Sequence, residues 1–313
     1  MASTISTTMS KSRYRERDER PSSTAIVLML GGSVAFALMN GIVKGLGQRY
    51  DIPTIFLWRS VSAFLIIVPL LCFVREDGGL RTTRFLGHSI RGLFGVAGTL
   101  SFFWTVTRLP LGTAVTLAYA WPIVMLGIAV WVLGEQVSWR RVLVALLGFC
   151  GVAVICGFAR NPSAPGMAAG IASAILFACA YASMKSIVST ESPVAISFYF
   201  HAWCTLAGLA LSLPHWTWPA RSDVPALLAT GILGGLAQCL MAAAFRRARA
   251  SQLAIYDYGT VAWSLLIGWA IWGEAPDMAG FAGTLLIAIS GIVMAKAEPP
   301  PRKTAEGLPL ETA

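Results

Sequence analysis

The sequence predicts an all-α integral membrane protein with ten transmembrane helices, arranged as two inverted five-helix repeats. Three observations predict it: long continuous apolar runs, a lopsided distribution of Lys and Arg between them, and a series of residues that recurs about 139 positions later. Each carries a separate physical argument.

The 313 residues are 56% hydrophobic and only 12% charged, about half the charge of an ordinary soluble domain. So apolar a chain needs a solvent other than water for much of its surface. In hydrocarbon the backbone must satisfy its own hydrogen bonds, as helices or as a closed barrel. The runs here are continuous rather than alternating every second residue, which selects helices. Ten runs are long enough to span: 25–44, 54–74, 87–107, 111–133, 139–158, 167–188, 194–213, 225–245, 250–272 and 278–296. They group as a first repeat over 25–158 and a second over 167–296. Polar tails are expected at 1–24 and 297–313, and the first tail lacks the pattern of a signal peptide.

With the amino terminus inside, 18 Lys and Arg residues, Arg91 among them, fall on one side of the membrane and 5 on the other, with Arg59 inside a span. That bias places both termini in the cytoplasm and makes an inner membrane the expected location. The net charge of +9 is therefore read as a topology signal. The basic residues form no aromatic-interleaved patch, so no nucleic-acid partner is expected. The six cysteines, Cys72, Cys150, Cys156, Cys179, Cys204 and Cys239, all lie in apolar runs with no C-x-x-C pair or His cluster. They read as buried free thiols, and no metal or cofactor is expected.

The repeat emerges from a shared order and spacing. Gly92, Gly95 and Arg108 fall on Gly231, Gly234 and Arg247; Tyr119 falls on Tyr258; Gly134-Glu135 falls on Gly273-Glu274. With one or two residues of slippage, Phe36, Ala37 and Lys44 fall on Phe177, Ala178 and Lys185. Five spans are an odd number, so the second copy enters from the opposite face. Two inverted copies around a midplane site are the architecture of alternating access.

Polar residues inside the spans mark where that site lies. Asp257, in span nine, is costly at that depth unless it faces a cavity or a partner. It reads as an amine or cation site, a proton-coupling carboxyl, or a structural carboxyl bonded to a neighbouring helix. Thr260 and Ser264 continue its stripe. Trp104, Tyr119, Trp121, Tyr181, Tyr256, Tyr258 and Trp263 form an aromatic set suited to a planar or cationic ligand, though single rings also serve packing. Tyr119-Ala120-Trp121-Pro122 should loosen its helix at Pro122. Asn40 and Lys44 share a face of span one with Ser33 and Ala37, which suits either a water-lined wall or close helix packing. Gln238 and His201 are further mid-span polar groups, His201 a proton relay or an internal donor. Arg59 reads as a gate, a structural guanidinium near the outer interface, or a partner for a substrate acid or Asp257. The pairs Lys44 and Lys185, and Glu274 and Glu135, should fall on opposite faces, with Glu274 bonding an outer base and Glu135 an inner one as gates; the alternative is weak interfacial charge.

Trp58-Arg59-Ser60, the run from Arg108 to Ala114, Leu133-Gly134-Glu135 and Trp272-Gly273-Glu274 together resemble the drug/metabolite transporter superfamily, specifically the EamA type with two five-helix domains. The resemblance covers nearly all of residues 25–296. It implies a secondary carrier of a small organic metabolite, often an exporter, with spans five and ten peripheral to a central cavity. Substrates it implies include amino-acid derivatives, S-adenosylmethionine, riboflavin and opine-type metallophores. Where relatives carry Pro-Phe-Glu-Tyr, this chain has Ile255-Tyr256-Asp257-Tyr258. Beside it, Asp257 with its neighbouring rings points to a cationic or zwitterionic amino-acid derivative. A membrane-embedded enzyme or a channel is the competing class. The sequence carries no P-loop, H-E-x-x-H or G-x-S-x-G motif and no evident selectivity loop. The expected partners are a small-molecule substrate and the lipid bilayer, and a homodimer stays open.

Overall fold

The computed structural model describes residues 22–73, 80, 82–131, 139–158, 163–185, 187, 191, 193–245, 247, 253, 256–275 and 277–296. Most of the expected tails, and Glu135, lie outside these residues, as does the side chain of Lys185. Among the described residues there is no strand. The helices are α1 (Ser23–Leu46), α2 (Ile52–Phe73), α3 (Phe85–Val106), α4 (Leu111–Ala118), α5 (Trp121–Trp131), α6 (Trp139–Phe158), α7 (Ala164–Lys185), α8 (Pro193–Ser212), α9 (Val224–Phe245), α10 (Gly259–Trp272) and α11 (Met278–Lys296). Five segments are by themselves long and apolar enough to cross a bilayer: Ser23–Leu46, Ile52–Leu70, Ala164–Met184, Ala195–His215 and Val224–Met241. Of the remaining spans, the fourth and ninth are interrupted, whereas α3, α6 and α11 are unbroken helices of 22, 20 and 19 residues.

Two interruptions matter. The fourth span breaks at Tyr119-Ala120, between α4 and α5, where Pro122 has no N–H to continue the ladder. The ninth, expected to be continuous, has a turn at Tyr258 before α10 begins at Gly259. Tyr119 and Tyr258 are repeat mates, so both halves break at one position.

The inversion follows from what packs on what. The start of α1, at Ala25 and Met29, shares a cluster with Ala244 and Leu253 near the end of α9. The start of α7 instead meets the end of α3: Gly166 lies against Arg108 and Leu109, and its carbonyl accepts from Thr105 Oγ1 at 3.3 Å. The two repeats therefore begin at opposite ends of the bundle. The main helix pairs cross between halves and respect the symmetry. α3 packs on α7 as α9 packs on α1, and α9 packs on α2 as α3 packs on α8. The α2–α9 contact is close because Gly231 has no Cβ; one there would sit 2.3 Å from the Arg59 carbonyl.

α6 and α11 pack chiefly on each other, with Ser290 Oγ donating to the Val144 carbonyl at 2.7 Å. Leu143, Phe149, Phe281 and Leu285 on their outer faces are exposed, as suits contact with hydrocarbon. The thiols are less uniform than expected. Cys204 is buried, but Cys150 lies on the exposed face of α6, where lipid makes burial in protein unnecessary for an apolar side chain.

Candidate functional site

A cavity of about 200 Å³ lies between the halves, and α6 and α11 contribute nothing to it. Its walls obey the repeat. Phe36 and Phe177, Asn40 and Tyr181, Thr99 and Gln238, Ala118 and Asp257, and Trp121 and Thr260 are mates at an offset of about 140 residues, and all ten line it. The two helix breaks aim their flanks into this space. That is where irregular backbone is tolerated inside a membrane.

Asp257 accepts a hydrogen bond from the Tyr119 hydroxyl at 3.2 Å, so the first repeat's break orients the second repeat's carboxylate. Tyr258 turns away from the cavity wall. Its ring packs 5.5 Å from that of Tyr119, and its hydroxyl reaches the Tyr119 carbonyl at 3.5 Å. It braces the site rather than lining it. Trp121 and Tyr181 stack with ring centroids 4.2 Å apart and planes 20° apart, forming one flat wall. Asn40 is buried with its Oδ1 unpartnered among the described residues.

Other expected residues lie elsewhere. Trp263 is 38% exposed and does not line the cavity, because six residues past Asp257 a helix has turned its side chain most of the way to the opposite face. His201 is fully buried outside the cavity, between the Phe64 and Phe200 rings, with Nδ1 2.9 Å from the Ser197 carbonyl of its own helix. Arg59 lies about two turns into α2, 4% exposed, on the cavity wall rather than at the interface. Its guanidinium rests 5.7 Å from the Phe103 ring, and Nε lies 3.4 Å from Met39 Sδ.

One wall residue was read from sequence only as an interfacial charge. Arg91 lies well inside α3, because that helix starts at Phe85. It lines the cavity 4.8 Å from the Phe200 ring, with Nε buried and unpartnered among the described residues. The signal was present: Arg91, Gly95, Thr99 and Phe102 recur at helical spacing, and all four line the cavity. Removing Arg91 from the interfacial count leaves the basic bias intact.

At the end of the bundle where α1, α3 and α10 finish, Lys44 pairs with Glu274 and donates to the Leu109 carbonyl at 2.8 Å. Glu274 also accepts from the Leu111 N–H at 2.9 Å. Sequence explains its placement. Gly273 adopts the left-handed conformation (φ 66°) that ends α10, and the Glu274 N–H returns to the Gly268 carbonyl at 3.1 Å, folding the carboxylate back over the bundle. Nearby, Asp223 accepts from the Tyr50 hydroxyl and from Arg49, each at 2.8 Å. The Tyr50 bond, with help from Arg49, holds this carboxyl below the usual range.

Known proteins share this plan. The chain is 26% identical to an S-adenosylmethionine uptake transporter of Rickettsia prowazekii (strain Madrid E), over 82% of its own length and 87% of the relative's. It is 27% identical to a riboflavin transporter of Vibrio cholerae (84% and 89% of the two chains) and 25% identical to the pseudopaline exporter CntI of Pseudomonas aeruginosa (87% and 96%). One solved crystal structure matches with a TM-score of 0.61 at 22% identity, over 87% of this chain and 97% of the other, which shows the fold alone. The pattern of the EamA-like transporter family matches residues 23–157 and again 164–295. With both halves matched, the chain belongs to the EamA-like transporter family.

Proposed function

We propose that the protein is a secondary carrier of a cationic or zwitterionic amino-acid derivative, working by alternating access in an inner membrane with both termini in the cytoplasm. One observation carries this reading: a cavity between inverted halves holds a carboxylate beside a stacked ring wall. Asp257 meets the substrate amine, with Tyr119 orienting the carboxylate. Trp121 and Tyr181 cover an apolar or planar body, while Asn40, Gln238 and Thr260 supply polar contacts. Lys44 and Glu274 form one gate, broken when that end opens, and by the repeat Glu135 bonds an inner basic residue as the counterpart gate. Without a P-loop, the driving energy comes from exchange or a proton gradient.

Export is the direction assigned, the one in the name of the Pseudomonas relative; the Rickettsia relative is named for uptake. Untargeted metabolite profiling of cells with and without the protein tests both parts. An exporter leaves its substrate elevated inside cells that lack it, and Asp257→Asn reproduces that elevation. Depletion instead of elevation reverses the direction, and no change in any metabolite removes the carrier reading.

A further inference from the structure

The cavity holds more positive charge than negative. Arg59 and Arg91 both reach its wall, from helices that enter it from opposite ends of the bundle. Neither has a carboxylate partner among the described residues; each rests against a phenyl face instead, Arg59 on Phe103 and Arg91 on Phe200. Arg59 Nη1 and Arg91 Nε are buried with no hydrogen-bond acceptor among the described residues. A guanidinium offers five donors in a planar fork and does not discharge, so leaving such groups unpaired away from water is expensive. The acid closest in kind, Asp257, is engaged by Tyr119. Asp257, Trp121, Tyr181 and both arginines line the same cavity.

We infer that Arg91 and Arg59 form an acid-binding subsite in the cavity that also holds Asp257, and that the ligand is an amino acid carrying one amine and two acid groups. Two fixed guanidinium groups against one carboxylate leave one positive charge for the ligand to neutralise, and a planar fork matches a carboxylate oxygen pair. A bare amine would satisfy Asp257 and leave both arginines unmet. A simple amino acid would satisfy one of them. Phe103 and Phe200 hold the two forks in place without neutralising them.

This rests on the carrier reading but has its own readout, because binding and transport are measured separately. Four probes of one carbon skeleton are titrated into the purified full-length protein and followed by calorimetry: phenethylamine, 3-phenylpropanoate, phenylalanine and N-carboxymethyl-phenylalanine. The expected order of affinity places N-carboxymethyl-phenylalanine first, phenylalanine second and the two single-charge probes last. Arg91→Gln weakens the diacid about ten- to a hundredfold and leaves phenethylamine within about twofold. Arg59→Gln does the same to a smaller extent, Arg91→Lys recovers part of the loss, and Asp257→Asn weakens only the probes with an amine. If both arginine variants weaken all four probes alike, or phenethylamine binds the unmodified protein as tightly as the diacid, the subsite is overturned. The subsite also falls if no acid-bearing probe binds, and a metabolite change in cells would still leave the carrier standing.

Discussion

The two halves share a backbone plan but not a charge. Both break a helix at the same tyrosine, both send mated residues to the cavity wall, and both offer a glycine where a neighbouring helix comes close. The first half brings the two guanidinium groups, Arg59 and Arg91. The second brings the carboxylate, Asp257, where its mate is the small apolar Ala118. The positions near Arg59's mate hold Phe198 and Tyr199, and Arg91 faces Thr230 in the alignment. Symmetric shape lets two halves exchange conformations around a site. Asymmetric charge fixes which way round a polar ligand sits in it. Geometry and recognition thus come from different layers of one duplicated sequence.

The largest test of this contrast lies in the glycine mates. A Cβ at Gly231 meets backbone, 2.3 Å from the Arg59 carbonyl and 2.6 Å from the Ala63 nitrogen. At Gly92 it meets the Trp203 side chain at 2.5 Å. Backbone cannot rotate aside, so Gly231→Ala should cost about 3 kcal/mol and Gly92→Ala about 1 kcal/mol. Thermal unfolding of the two purified variants checks the ranking, and equal losses would show that the shared contact does not distinguish the halves.

The second test moves the charge. Asp257→Ala should cut transport of the substrate found by profiling at least tenfold, the consequence of losing one charged partner. Adding Ala118→Asp to that variant places a carboxylate at the mated wall position and should restore a measurable part. A double variant as inactive as the single one would show that the two wall positions are not interchangeable.

A third, smaller effect concerns the closed end. Glu274→Gln removes the charge that Lys44 meets and weakens the bond to the Leu111 N–H. If this pairing is a gate, the labelling rate of a cysteine placed at Asn40 from that side should rise about tenfold. An unchanged rate would reduce the pair to packing.

The smallest involves Asp223. A depressed folded-state pKa stabilises the fold above the ordinary carboxylate range, and that contribution fades as pH falls through the folded value. The melting temperature of Asp223→Asn should therefore lie slightly below that of the unmodified protein at neutral pH, and the gap should close in acid. A gap that persists in acid would assign the effect to shape rather than charge.

Much of the architecture was legible because hydrocarbon leaves so few options: run length, basic bias and repeat order each reported it independently. Asp257 was legible for the same reason, as a carboxylate in a span must face something polar. Residues whose role depends on helix phase and on a helix's exact start were harder. Arg91 reads as interfacial if its span begins at 87 and as intramembrane once α3 begins at Phe85. Trp263 and His201 have suitable chemistry but the wrong azimuth, which only the neighbouring helices fix. The Lys44–Glu274 pair joins residues 230 positions apart. Its ingredients were visible as repeat mates, but the left-handed turn at Gly273 that delivers Glu274 is a backbone event.

The preference of helices for partners in the opposite half bears on how the chain is made. During synthesis α1, α2 and α3 enter the bilayer before α7, α8 and α9 exist, so the arginine-bearing segments wait among lipids and insertion machinery for their mates. Neither half can complete its packing alone. A gene cut between residues 158 and 164 should therefore yield two fragments that are degraded when expressed singly and that assemble when produced together.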